Sequence, residues 1–200
     1  VKQKKLDEIE RSLESLYTFF YVRRSYQDSL NIFNWAIQQG ESDWEIADRQ
    51  VQQILWKLKA RQSAFLFDVG KVKESWSVLQ DGLEAFRAQR DLCESGFCLN
   101  LLSKIALFEG KPSEAKTLAS EALSLARESK NQLAEADNLY RLGLVCIGQR
   151  NFGEARQHLQ QALPIYRKLG YRRGEGMVLH AFGLNCLDVE DYEGAIRYYR

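Results

Sequence analysis

This sequence predicts an all-α fold, built as an array of antiparallel helix pairs, and three observations carry that reading. Leu, Ala, Glu, Gln, Arg and Lys dominate while proline occurs only at Pro112 and Pro164, a composition that favours helices over strands. Apolar residues recur at helical spacing along the chain. Set against itself at an offset of 40, the chain superposes its small residues: Ser75, Ala115, Ala155 and Ala195 form one series, and Ser63, Ser103, Gly143 and Gly183 another.

The repeats follow in order. In the first, near 5–39, "RSYQDSLNIFNWAIQQ" aligns with "RNFGEARQHLQQALPI" when Tyr26 is laid on Phe152 and Ser29 on Ala155, although Tyr17 stands at the small position. Ser29 precedes Ser75 by 46 residues, and the six extra fall in "GESDWE", a longer connection. The second repeat, near 44–89, carries Gln62 and Ser63 in its first helix and Gly82 and Leu83 in its second. In the third, near 91–129, Ala115, Ala119, Ala122 and Leu123 stand at i, i+4, i+7 and i+8, one stripe of a helix B. The fourth, near 132–169, is the most regular: Leu139, Leu142, Gly143 and Cys146 make the stripe of a helix A, and Ala155, Leu159, Ala162 and Leu163 that of a helix B. The fifth, near 172–200, repeats the first stripe as Leu179, Phe182, Gly183 and Cys186. Small residues at the crossing let two helix backbones come close, where a large side chain would hold them apart. The turns "FEGKPSEA", "GQRNFGEA" and "DVEDYEGA" put a proline ring or an aromatic three residues before the small position.

The segment "LYRLGLVCIGQRNFGEARQHLQQAL" resembles the tetratricopeptide repeat, with Leu142-Gly143, Phe152, Ala155 and Ala162, then Phe182-Gly183, Tyr192, Ala195 and Tyr199, at the family's positions. The resemblance implies a right-handed α-solenoid whose inner face is lined by the A helices. The common repeat has about 34 residues, so the 40-residue period implies longer helices. That variant is similar to the arrays of signal-transduction ATPases with numerous domains, among them the maltotriose-sensing transcription activator, and to peptide-pheromone receptors and G-protein-signalling scaffolds. In the first group the array senses an inducer or partner, and "LESLYTFFYVRRSYQDSLNIFNWAI" looks like its first sensor repeat. The parent protein is then expected to carry an ATPase module elsewhere, since no phosphate loop occurs here. The absent initiator Met and an end at Arg200 within a helical pattern fit a single repeat domain, 1–200, cut from a longer chain.

Groove-facing positions of helix A, carried over from the family, fall on Lys57, Arg61, Asn100, Lys104 and Asp137, and on Tyr140, Arg141, Met177 and His180. Such side chains can hydrogen-bond peptide carbonyls or sugar hydroxyls while Tyr140 offers a flat apolar contact. Read from the residues alone, the same set is equally the solvated stripe of amphipathic helices. A clamp for a terminal carboxylate is not expected, because Glu14 and Ala60 stand where its lysines belong.

Other chemistry is disfavoured. The 28 basic and 27 acidic residues leave a formal charge of +1, giving no net field for nucleic acid or an acidic membrane. Cys93, Cys98, Cys146 and Cys186 include no Cys-x-x-Cys pair and no histidine at metal-ligand spacing, so no zinc or other cofactor is expected, and free thiols in a cytoplasmic protein are the default. His158 and His180 have no nucleophile partnered with them, so no enzyme activity is expected. Cys146 and Cys186 read as core thiols. Trp35, Trp44, Trp56 and Trp76 read as a thick core near the start of the chain, with a docking surface as the alternative. "YRKLGYRRGEG" reads as a connector, with Gly170 as a helix cap, Gly174 and Gly176 as close-packing positions, and its basic residues as a rim for an acidic partner. Two readings of function stay open: a module that binds a protein, a peptide or a small-molecule inducer, and a scaffold that self-associates through repeat ends such as Ile196 and Tyr199.

Overall fold

The computed structural model describes residues 2–43 and 48–199, with side chains over 7–42 and 48–199. Ten α-helices run α1 (Lys2–Arg23), α2 (Tyr26–Asp43), α3 (Arg49–Asp68), α4 (Val72–Ala88), α5 (Leu92–Phe108), α6 (Pro112–Glu128), α7 (Gln132–Gly148), α8 (Phe152–Lys168), α9 (Arg172–Asp188) and α10 (Tyr192–Tyr199), with no strand among the described residues. The predicted all-α array of helix pairs is what forms.

The period of 40 has a local cause. Helices α4 to α9 each have 17 residues, and each is separated from the next by three. Each turn from α3 to α10 carries one left-handed residue, at Gly70, Arg90, Gly110, Lys130, Arg150, Gly170 and Glu190, a spacing of 20. The following amide reaches back to close the helix, as in Lys71 to the Leu66 carbonyl at 2.9 Å, Asn151 to Cys146 at 2.8 Å and Tyr171 to Tyr166 at 2.9 Å. This is the Schellman closure, which satisfies orphan carbonyls and stops the helix at a fixed place. The next helix is started by a cap: Asn131 Oδ1 accepts from the Ala134 amide at 3.0 Å, and Pro112 stands in the first turn of α6.

At the crossings the small residues act as expected. Ser75 Oγ donates to the Ser63 carbonyl at 2.7 Å, and Ser103 Oγ to the Ala115 carbonyl at 2.8 Å, so each hydroxyl ties one backbone to the other. A Cβ on Gly143 would lie 2.7 Å from Leu159 Cδ2, and one on Gly183 2.4 Å from Tyr199 Cζ.

Contacts divide the chain into two compact units, Val1–Glu94 and Ser95–Arg200. In the first, α3 packs on α1, α2 and α4. Its centre is Phe65, fully buried, with the rings of Tyr17, Tyr26 and Phe33 at 5.4, 6.4 and 5.6 Å. This aromatic cluster takes the place of the small-residue crossing that Tyr17 removes. The tryptophan expectation is corrected in part: Trp35 is 63% exposed on α2, whereas Phe33 and Ile37 face the core, because a position two residues from each falls on the opposite side of a helix. Trp56 and Trp76 are half-buried, and Trp44 lies outside the described residues.

In the second unit, α7 packs on α6, α8 and α9, and α9 on α10. Leu139, Leu142, Leu159, Tyr166 and Phe182 form its core. Cys98, Cys146 and Cys186 are buried free thiols, as read, and Cys93 is exposed. Gly170 takes the cap, at φ +66°. Gly174 is a close-packing glycine, since its Cβ would fall 2.4 Å from the Tyr166 ring, but Gly176 faces open space, which corrects the paired expectation. Among the described residues no helix is long and apolar enough to cross a membrane.

Candidate functional site

Seven of the candidate residues lie in the second unit, on the A helices α5, α7 and α9. These helices neighbour one another: Asn100 Nδ2 on α5 donates to Asn138 Oδ1 on α7 at 2.7 Å, and α7 touches α9. Helical spacing puts Asn100 and Lys104 one turn apart on α5, and Asp137, Tyr140 and Arg141 within the next turns of α7. Asn100, Lys104, Asp137, Tyr140, Arg141 and Met177 are all half-buried and His180 is exposed, so this is a wet face and not a core stripe.

Internal bonds hold the face in place. Asn138, 2% exposed, accepts from Asn100 and donates through Nδ2 to the Ala134 carbonyl at 2.8 Å, which fixes its amide orientation. Tyr166 on α8 donates its hydroxyl to Asp137 Oδ1 at 2.5 Å. Burial raises the Asp137 carboxyl above the usual carboxylate range, with the Tyr166 hydrogen bond and the charges of Arg141 and Arg173 pulling the other way. The charges of Arg141 and Arg173 thus act on this carboxyl. His180 meets the Tyr199 ring edge-on at 5.7 Å.

The remaining two candidates belong to the first unit. Lys57 Nζ pairs with Glu10 Oε1 at 2.5 Å. Arg61 is 5% exposed and enclosed by carboxylates: its Nε donates to Glu14 at 2.8 Å, its Nη2 to Glu94 Oε1 at 3.0 Å, and further short bonds join Nη1 to Glu94 and Nη2 to Glu14. Its fork thus ties α1, α3 and the first turn of α5 together, using the planar donors that lysine lacks. Within the first unit, Lys57 and Arg61 are engaged by Glu10, Glu14 and Glu94.

Sequence reasoning missed Asn138 and Tyr166, the two side chains that anchor the face. Asn138 is a polar residue in a core stripe, which is itself the available signal, because a buried amide needs partners. It also missed a cavity of about 360 Å³ in the first unit, bounded by Trp56, Lys59, Glu41, Asn34, Gln62 and Asp81. There Lys59 Nζ sits 5.2 Å over the Trp56 ring and pairs with Glu41 at 2.7 Å, and Gln62 donates to Asn34 at 2.5 Å.

Comparison with known proteins agrees with this architecture. Residues 132–200 match the sequence model of the tetratricopeptide repeat. No curated protein sequence matches the chain. Among solved structures, BtubC (BKLC) of P. vanneervenii superposes with a TM-score of 0.68 at 12% identity, over 98% of this chain and 87% of that one. A putative kinesin light chain with nearly identical TPR-like repeats from Podosopora anserina gives 0.64 at 12% identity, over 94% and 90%. A Rap protein complexed with competence and sporulation factor gives 0.66 at 16% identity; the chain covers 56% of its length and is itself covered to 98%. At these identities the shared property is the fold, a stacked array of helix pairs like the tetratricopeptide repeat.

Proposed function

We propose that this chain is a recognition module that binds a protein or peptide across the A-helix face of α5, α7 and α9, and that it serves as the sensor or effector-recognition part of a larger signalling ATPase or transcription regulator. The carrying observation is the anchored polar face itself. Asn100 and Asn138 cross-link two A helices, Tyr166 pins Asp137, and Tyr140, Arg141 and Lys104 stand half-exposed beside them. Preorganised donors of this kind bind without the entropy of ordering them, and an Asn has two donors and an acceptor, of which the inter-helix bond uses a part. The Rap structure supports the reading by analogy, being a similar fold complexed with another factor. Charge favours an extended segment with acidic side chains, which Lys104, Arg141 and Arg173 would draw.

Selection of a random-peptide display library on the chain tests the proposal. Enriched peptides should bind at least tenfold more weakly to a Tyr140→Ala/Arg141→Ala variant of unchanged helicity. Equal binding by both proteins rules out this face. A small-molecule inducer on the same face would raise the melting temperature of the wild type and not of the variant.

A second reading, self-association, rests on the apolar side chains that α10 shows to solvent: Tyr192 is 62% exposed, Ile196 51% and Tyr199 50%. Sedimentation that stays monomeric at high concentration would remove it.

A further inference from the structure

We propose that Cys146, Glu154 and His158 form a binding site for a divalent transition metal, Zn²⁺ being the ion whose chemistry the donors fit best. The three side chains meet across the α7–α8 hairpin. Cys146 comes from the last turn of α7, and Glu154 and His158, four residues apart, share one face of α8. One ligand atom from each lies within 4.8 Å of the other two, and His158 Nε2 is already 3.6 Å from Glu154 Oε1. Zinc bonds of about 2.0–2.3 Å in tetrahedral geometry put neighbouring ligand atoms about 3.3–3.8 Å apart. The cluster therefore contracts by at most about 1.5 Å on binding, within the reach of side-chain rotation.

The donor set selects the ion. A thiolate, an imidazole and a carboxylate together suit zinc and its neighbours, whereas calcium and magnesium take oxygen ligands. Cys146 is fully buried, which shields the metal–sulfur bond, while the Glu154 and His158 side chains keep 30% and 20% exposure and leave an approach from solvent. A water from that side completes four ligands.

The repeat supplies an independent argument. Glu154 recurs as Glu114 and Glu74 at the same slot and by itself means nothing. The slots of Cys146 and His158 hold Ala106 and Leu118 one repeat earlier, Leu66 and Val78 two earlier, and Cys186 and Tyr198 one later. The fourth repeat thus replaces an apolar pair at this hairpin by two metal-binding side chains at once, beside a carboxylate already there. In the metal-free protein Lys116 Nζ holds Glu154, at 2.8 and 2.9 Å. Metal binding displaces that ammonium and releases the Cys146 thiol proton to solvent, and Lys116 becomes a competitor of the ion.

Cobalt titration of the full chain is the test, with Co²⁺ as a spectroscopic probe for zinc. One Co²⁺ per chain should bring in a thiolate-to-cobalt charge-transfer band and the intense visible bands of a tetrahedral ion, all abolished by excess Zn²⁺. Cys146→Ala and His158→Leu restore the residues of the preceding repeat, so they should fold; the first should lose the charge-transfer band and the second should weaken binding at least tenfold. Lys116→Met should tighten binding severalfold, and Cys93→Ser, which removes the exposed thiol, should change nothing. The proposal is overturned if wild type gives no charge-transfer band, if the band survives in Cys146→Ala, if it vanishes in Cys93→Ser, or if Lys116→Met weakens binding.

Discussion

Two glycines in the first turns of α9 should respond oppositely to the same substitution. At Gly174 an added Cβ would lie 2.4 Å from Tyr166 Cδ1, 2.5 Å from its Cε1 and 2.6 Å from Tyr171 Cδ1. Tyr166 cannot swing aside, because it is fully buried and its hydroxyl is bonded to Asp137. Overpacking of this kind costs about 1–3 kcal/mol, the strained Tyr166–Asp137 hydrogen bond adds about 1 kcal/mol, and the helix-propensity gain of Ala over Gly returns about 1 kcal/mol at most. Gly174→Ala should therefore destabilise the protein by about 2 kcal/mol, a fall in melting temperature of about 4–8 °C for a chain of this length. At Gly176 nothing lies within 4 Å, so only propensity acts and Gly176→Ala should stabilise by about 0.5–1 kcal/mol. Urea denaturation followed by far-ultraviolet circular dichroism reads both. The cycle closes with Tyr166→Ala, which recreates the Ala126 and Ala134 pair one repeat earlier. In that background the Gly174→Ala penalty should shrink by more than half, leaving only the contact with Tyr171. Equal effects of the two alanines, or a Gly174 penalty undiminished without the Tyr166 ring, would refute the packing argument.

Three further outcomes follow from the same geometry. Glu94→Ala removes two of the four carboxylate bonds of buried Arg61 and should cost about 3 kcal/mol in urea unfolding, whereas Arg61→Met with Glu94→Leu, an apolar replacement of both, should cost less than the single change. Lys130→Gly, at a left-handed φ of 56°, should stabilise by about 1 kcal/mol, seen as a melting temperature about 2–4 °C higher. Asp137 has a raised carboxyl pKa, so its folded state binds the proton more tightly than the unfolded one and its contribution to stability falls as pH rises from its ordinary value of 3.8. Asp137→Asn keeps an acceptor for Tyr166 and loses that fall, so the variant should gain on wild type as pH rises into the neutral range, and the gain should vanish under acid.

The repeat was readable because it is enforced by contacts that tolerate little. A Cβ has no room at Gly143 or Gly183, and the Ser63 and Ser103 slots must bring two backbones within one hydroxyl's reach. Only small residues serve there, and they recur visibly. The face on α5, α7 and α9 was readable only through the family resemblance, since helical spacing alone gives the same pattern for any solvated stripe. What was not readable depends on pairs far apart in sequence. Arg61 is drawn inward by Glu14 and Glu94, at separations of 47 and 33 residues. Trp35 faces water because Phe33 and Ile37 already fill the core side of α2. Cys146, Glu154 and His158 belong to two helices, so a search for closely spaced ligands along one segment passes over them.

The central claim, that the face anchored by Asn138 and Tyr166 is where a partner binds, is tested most directly by the affinity of one display-selected peptide, measured by isothermal titration against wild type and against Tyr140→Ala/Arg141→Ala. The variant should bind at least tenfold more weakly. The same affinity for both proteins, at equal helicity, would contradict it.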